Sequence, residues 1–189
     1  MNREQLIRDL SDYQGWSDAR EALLRERILR FVQRHENCAS RSLRRGHLTG
    51  SAWVVDPDLR RTLLTHHRRL EMWVQPGGHV EEDRDMLAAA LREAREESGL
   101  SSVTSPLGSI FDLDVHVIPG RKAEVRHLHY DIRYLFVADP AEPLAATWES
   151  KELRWVDLEE IGELTREESI SRMVRKTVAL RDRPLRVNG

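Results

Sequence analysis

Between Trp73 and Gly99 the chain passes from a short strand, through a Pro-Gly-Gly turn, into an amphipathic helix, and this order narrows its fold more than any other feature. Residues 73–80, Trp-Val-Gln-Pro-Gly-Gly-His-Val, read as a strand entering a glycine turn. From Asp85 to Ser98 the period becomes helical. Met86, Leu87, Ala90, Leu91 and Ala94 fall on one stripe, and Gly99 is a natural stop. A helix with one apolar side must bury it, and the strands around it offer a sheet for that purpose.

The rest of the chain supplies those strands. Residues 48–55 are strand-like, Asp56-Pro57-Asp58 is a turn, and Thr62–Thr65 follows, so the pair reads as a hairpin. Two longer strands are expected around 108–118 and 125–138, joined through Pro119-Gly120. In the second, Leu128, Tyr130, Ile132, Tyr134 and Phe136 alternate with His127, His129, Asp131 and Arg133. A short strand at 152–156 and a helix from about Glu167 to Leu180 close the pattern. Before all this, Leu6, Ile7 and Leu10 mark one short helix. A second, with Ser17 as N-cap, places Leu24, Ile28, Phe31 and Val32 on one face. The reading is an α+β domain over residues 46–189, behind an N-terminal helical extension over residues 1–45.

Composition bounds the function. The 189 residues are 33% charged, yet the signs nearly cancel to a formal net charge of −2, so no basic excess points to a nucleic-acid polymer or an anionic membrane. No run approaches the ~18 apolar residues of a membrane span, which makes the cytoplasm the default address. The single cysteine, Cys38, has no partner for an internal disulfide, which fits a reducing compartment.

The chemistry concentrates on the helix. Glu93 and Glu97 are i, i+4 neighbours, and Glu93 and Glu96 are i, i+3 neighbours, so three carboxylates project from one side. Acids this close repel one another and raise each other's pKa unless a cation sits among them. Hard oxygen donors at this density suit Mg²⁺ or Mn²⁺ rather than zinc. Arg92 stands where its fork orients one carboxylate and leaves the others free. A solvated helix with ordinary charge pairs would read the same way if nothing flanked it.

What flanks it is Gly78-x5-Arg84-x7-Arg92-Glu93-Ala94-x-Glu96-Glu97-x-Gly99-Leu100, which resembles the box of the Nudix (MutT-like) hydrolase family. Six fixed positions match in register: Gly78, Arg92, Glu93, Glu96, Glu97 and Gly99. At roughly 7% per position, a chance match somewhere in the chain is on the order of 10⁻⁵. The resemblance covers roughly residues 47–160. It implies an α/β/α sandwich around a mixed sheet, and water attack on phosphorus in a nucleoside diphosphate derivative under Mg²⁺ or Mn²⁺. It also implies that Glu93, Glu96 and Glu97 bind metal, that Arg92 orients Glu93, and that the Gly77 carbonyl is a further ligand.

Two positions depart from the pattern. Arg84 replaces the first glutamate of the box, with Asp83 and Asp85 beside it to supply the missing negative charge; Ala94 replaces a larger aliphatic residue. Family members often add a carboxylate from a distant loop, and Glu149 and Glu152 are the candidates for that base or ligand. Arg68 and Arg69, with His127 and His129, are the candidate substrate contacts. The expected partner is a small-molecule diphosphate, and the N-terminal helices leave a homodimer open. A catalytically weak binding or sensor module is the competing reading, motivated by Arg84. A prenyl diphosphate isomerase ranks last, because Cys38 lies well before the sheet.

Overall fold

The computed structural model describes residues 1–16, 19–120 and 125–182; the N-cap expected at Ser17 lies outside them. Among the described residues, seven strands form one mixed sheet: β1 (Gly46–Val55), β2 (Arg61–His67), β3 (Met72–Val74), β4 (Gly77–His79), β5 (Ile110–Ile118), β6 (His127–Val137) and β7 (Ser150–Asp157). The helices are α1 (Arg3–Asp12), α2 (Ala19–Arg34), α3 (Met86–Ser98), α4 (Ile161–Leu164) and α5 (Glu168–Asp182). None of them is long and apolar enough to cross a membrane.

β1 is the axis of the sheet, and all ten of its residues are buried. It runs parallel to β6 from Gly46 opposite Leu128 to Val55 opposite Val137. Its other edge is divided. Thr49–Ser51 pairs antiparallel with β4, whereas Val55 pairs with Thr62 of β2. The expected hairpin is therefore present but joined only near its turn, because β4 takes the remainder of the β1 edge. β2 continues outward to β3 and β7.

Period-2 alternation then sorts side chains into two cores. Leu48, Ala52 and Val54 join Tyr130, Ile132, Tyr134 and Phe136 against Met86, Ala89, Ala90 and Ala94 of α3. Leu6 and Leu10 of α1, with Ile28, Phe31 and Val32 of α2, belong to this same core, and the Phe31 ring stacks on Tyr130 at 3.8 Å. On the opposite face Trp53, Val55, Leu64, Phe111, Leu135 and Val156 pack under Ile161 of α4 and Ile170 and Met173 of α5. The result is the α/β/α sandwich that the resemblance implies. Buried charges also tie α2 and α5 to the sheet: Lys176 lies 2.6 Å from Asp112 and 2.8 Å from Glu21.

α3 starts at Asp85, whose carboxylate accepts the Ala88 N–H at 2.8 Å, and ends at Gly99 with φ 76°. Its buried stripe differs from the expected one. Ala89 is in the core, while Leu87 and Leu91 are only partly buried at its rim. The reason is close approach to β1: a Cβ on Gly50 would lie 3.1 Å from the Ala90 backbone nitrogen and 3.3 Å from the Ala89 Cβ. Only alanine fits at the centre of that contact, so the leucines flank it.

Candidate active site

The glycine loop and α3 are locked together by Arg92. Its Nη2 donates to the His79 carbonyl at 2.8 Å and to Asp83 Oδ2 at 2.9 Å, while Nε reaches both oxygens of Asp83 at 3.2 and 3.3 Å. Its Nη1 donates to Glu93 and Glu96, each at 2.9 Å. One guanidinium thus fixes the loop, orients two glutamates and stays charged. Asp83 supplies the negative charge that Arg84 does not, and Arg92 holds the Asp83 carboxyl below the usual carboxylate range. Arg84 itself points outward, 83% exposed, and pairs with Asp85.

Gly78 belongs to the same geometry. A Cβ there would lie 2.5 Å from a carboxylate oxygen of Glu93, so a larger residue would push that carboxylate out of its present place beside Arg92. The next turn of the helix carries Glu97, which is 8% exposed. Burial pushes its carboxyl up to about 8, and the nearby charges of Glu93 and Glu149 add to the effect, against a hydrogen bond from the Gly77 N–H. Glu93 is also raised, by burial first, with Arg92 opposing and Glu96 and Glu149 reinforcing. Glu96 is the outermost of the three, its side chain 59% exposed.

Of the two distal candidates, only Glu149 acts on these glutamates. Its loop is held by Arg68, whose N–H donates to the Glu149 carbonyl at 2.8 Å and whose guanidinium donates to the carbonyls of Trp148 and Ser150 at 2.9 and 3.2 Å. Arg68, expected as a substrate contact, therefore spends its donors on positioning this loop. Glu152 pairs with Arg154 at 2.7 Å, and Arg154 lies over the Trp73 ring, so that group occupies the β7 surface. Arg69 is exposed in the turn after β2, where its N–H donates to His67 Nδ1 at 3.1 Å.

His127 and His129 lie on the sheet face opposite α3, with Asp131 and Arg133. Asp131 accepts from Thr49 and Ser51, each at 2.8 Å, and from Arg133 at 2.7 Å. His47, which the sequence reading passed over, sits with the two histidines at ring separations of 5.0 and 4.9 Å. His79 also faces this group, its ring 5.0 Å from His47. Burial and the surrounding histidines hold His129 far below its ordinary pKa, so its imidazole is neutral. Cys38 is fully buried in the α3-side core, and burial pushes its thiol up, which fits a packing role.

These features define a class: an α/β/α sandwich that presents mutually repelling, partly buried carboxylates beside a glycine loop. Residues 47–177 match the NUDIX domain, and the chain belongs to the Nudix family of hydrolases. Among curated relatives, the m7GpppN-mRNA hydrolase NUDT17 of Danio rerio is 30% identical over 135 residues, covering 60% of this chain and 45% of that protein. A probable DHNTP pyrophosphohydrolase of Lactococcus lactis is 32% identical over 97 residues, covering 50% of this chain and 56% of the other. The chain thus spans about half the length of these relatives. Among solved structures, an Ap4A hydrolase binary complex from C. elegans aligns with a TM-score of 0.54 at 17% identity, over 70% of this chain and 96% of that one. A NUDIX family hydrolase from Clostridium perfringens aligns at 0.52 and 22%, over 71% and 97%. Both share the fold.

Proposed function

We propose that this protein hydrolyses a diphosphate linkage in a nucleoside diphosphate derivative or a similar small molecule, using Mg²⁺ or Mn²⁺. The observation that carries this reading is the grouping on one helix of Glu93 and Glu96, both held by Arg92, with the nearly buried Glu97, whose carboxyl burial and the charges of Glu93 and Glu149 push up to about 8. A divalent cation relieves such repulsion, and an all-oxygen donor set selects a hard ion. The chemistry of the donor set fits that group: Glu93, Glu96 and Glu97, with the main-chain carbonyl of Gly77, would hold it, and Glu149 completes the acidic rim. When bound, the ion neutralises charge on the phosphate oxygens.

The chain's own groups do the rest. Arg92 keeps Glu93 and Glu96 in place through its anchor on Asp83, and Arg68 sets the Glu149 loop. Glu149 accepts the proton of the attacking water, which then bonds to phosphorus as the bridging oxygen departs. Arg69, exposed in the turn after β2, is the candidate substrate contact that the structure leaves on the surface. Residues 46–189 act as the hydrolase domain, with residues 1–45 as a helical cover on the sheet. Asp83 favours an enzyme over a sensor module, because it restores the charge that made Arg84 suspect.

The names of the curated relatives extend the substrates worth testing to capped mRNA and DHNTP. The experiment is phosphate or nucleotide release from dinucleotides, nucleotide sugars, oxidised nucleotides, DHNTP and a capped RNA, with Mg²⁺ and with Mn²⁺. Turnover of at least one substrate that requires the ion supports the reading. A panel left intact while the ligands still raise the melting temperature would replace it with the sensor module.

A further inference from the structure

The register of four neighbouring strands brings histidines together on the sheet face opposite α3. His47 of β1 is opposite His129 of β6, and His129 is opposite His116 of β5. His127 lies two residues before His129 and so on the same face, while β4 brings His79 alongside β1. His47 and His127 are buried, at 3% and 7% exposure, and His129 is half-buried. One nitrogen from each of His47, His127 and His129 lies within 4.8 Å of the other two.

We propose that His47, His127 and His129 form a binding site for a transition-metal ion of the Zn²⁺ class, separate from the carboxylates of α3. Three imidazoles suit Zn²⁺, Co²⁺, Ni²⁺ or Cu²⁺ and disfavour Mg²⁺ and Mn²⁺, which prefer oxygen. The spacing fits as well. Zinc–nitrogen bonds of about 2.0–2.1 Å at tetrahedral angles separate two ligand nitrogens by about 3.3–3.4 Å. The Nε2 atoms of His127 and His129 are 3.3 Å apart.

The outer groups favour the same role. His127 Nδ1 is 2.9 Å from the Val125 carbonyl, an acceptor only, so the ring proton is on Nδ1 and the Nε2 lone pair points into the cluster. The proton shared between the two Nε2 atoms then belongs to His129. On metal binding it moves, through solvent, to Nδ1 of the same ring, so no net charge is lost. Three protein ligands leave a fourth position open, the arrangement of centres that accept an outside ligand. His127 also lines a cavity of about 270 Å³ with Arg45, Val117, Arg126 and Leu128 at the end of β6.

The test is titration of the full chain with Co²⁺, then Zn²⁺, in excess Mg²⁺ to saturate the carboxylate site. One equivalent of Co²⁺ should give the visible absorption of a low-coordinate nitrogen site and be displaced by Zn²⁺. X-ray absorption on the zinc form should show imidazole scattering. His127→Gln and His129→Gln should each weaken Zn²⁺ binding by more than about 100-fold, while His35→Gln should not. Zinc coordinated by oxygen alone, or unchanged binding in folded histidine variants, would overturn the proposal. If the variants do not fold, the wild-type absorption spectrum decides. Hydrolysis is not read in this experiment, so its outcome is independent of the proposed activity.

Discussion

Asp83 and Arg92 form a two-pronged ion pair, with Nη2 at 2.9 Å from one carboxylate oxygen and Nε within 3.3 Å of both. The pair joins the end of the glycine loop to α3. The charge reversal at Arg84 is thereby answered one residue earlier in the chain. Asp83→Ala should free Arg92 from its loop anchor and reduce kcat by roughly tenfold or more, equivalent to about 1.4 kcal/mol. Arg84→Ala removes an exposed side chain and should change stability by no more than about 0.5 kcal/mol. Steady-state kinetics and thermal melts of the two variants check this, and equal losses would contradict it.

The raised carboxyl of Glu97 predicts how the metal-free protein responds to pH. In the folded state it titrates at about 8, against about 4.3 in an unfolded chain, so the folded form binds the proton more tightly. Its contribution to stability is fully present below the lower value and is lost as pH rises through about 8. The melting temperature of metal-free protein should therefore fall between pH 5 and pH 8.5, about the span of that titration. Glu97→Gln should flatten the curve. Mg²⁺ or Mn²⁺ should bind with proton release below about pH 8, measurable by calorimetry in buffers of different ionisation enthalpy.

Glu149 and Glu152 are three residues apart but have different surroundings. Glu149 acts on Glu93 and Glu97, whereas Glu152 pairs with Arg154. Glu149→Gln should lower kcat by about 10²–10⁴-fold, the range of a lost general base. Glu152→Gln should stay within about twofold of wild type, the variation of an ordinary surface change. Arg68→Ala should fall between them, because it frees the loop without removing the acid. A larger loss from Glu152→Gln would reverse the assignment.

Trp148 is 80% exposed and directly precedes Glu149, on the loop that Arg68 pins. A large apolar ring held beside an acidic site is suited to stacking on a flat ring of a ligand. Trp148→Ala should raise KM about fivefold or more, the scale of a lost aromatic contact, and leave kcat nearly unchanged. A selective fall in kcat would place the ring in the chemistry instead.

The parts of the fold that local pattern controls were legible in the sequence. The span of α3, the Gly99 stop and the alternation from Leu128 to Phe136 all follow from one element's own periodicity, whereas the α3 stripe gives its central place to Ala89 because Gly50 of β1 approaches so closely. Partnership between distant strands was not. Nothing near His47 announces that β1 runs parallel to β6 with His129 opposite it, so the histidine cluster emerged only in three dimensions. The sharing of the β1 edge between β4 and β2 is likewise set by the glycine loop folding back. The four-residue helix Ile161–Leu164 is too short for its periodicity to register. Asp83 was one of two candidates to balance Arg84, and only the reach of the Arg92 side chain selects it over Asp85.

Mn²⁺ affinity and product release, measured on the same preparations of wild type and Glu97→Gln, address the metal-helix reading most directly. The expected result is a folded variant that binds Mn²⁺ at least about tenfold more weakly and turns over at least about 100-fold more slowly. A folded variant with wild-type turnover would contradict the assignment of Glu97, and with it the placement of the chemistry on the helix from Met86 to Ser98.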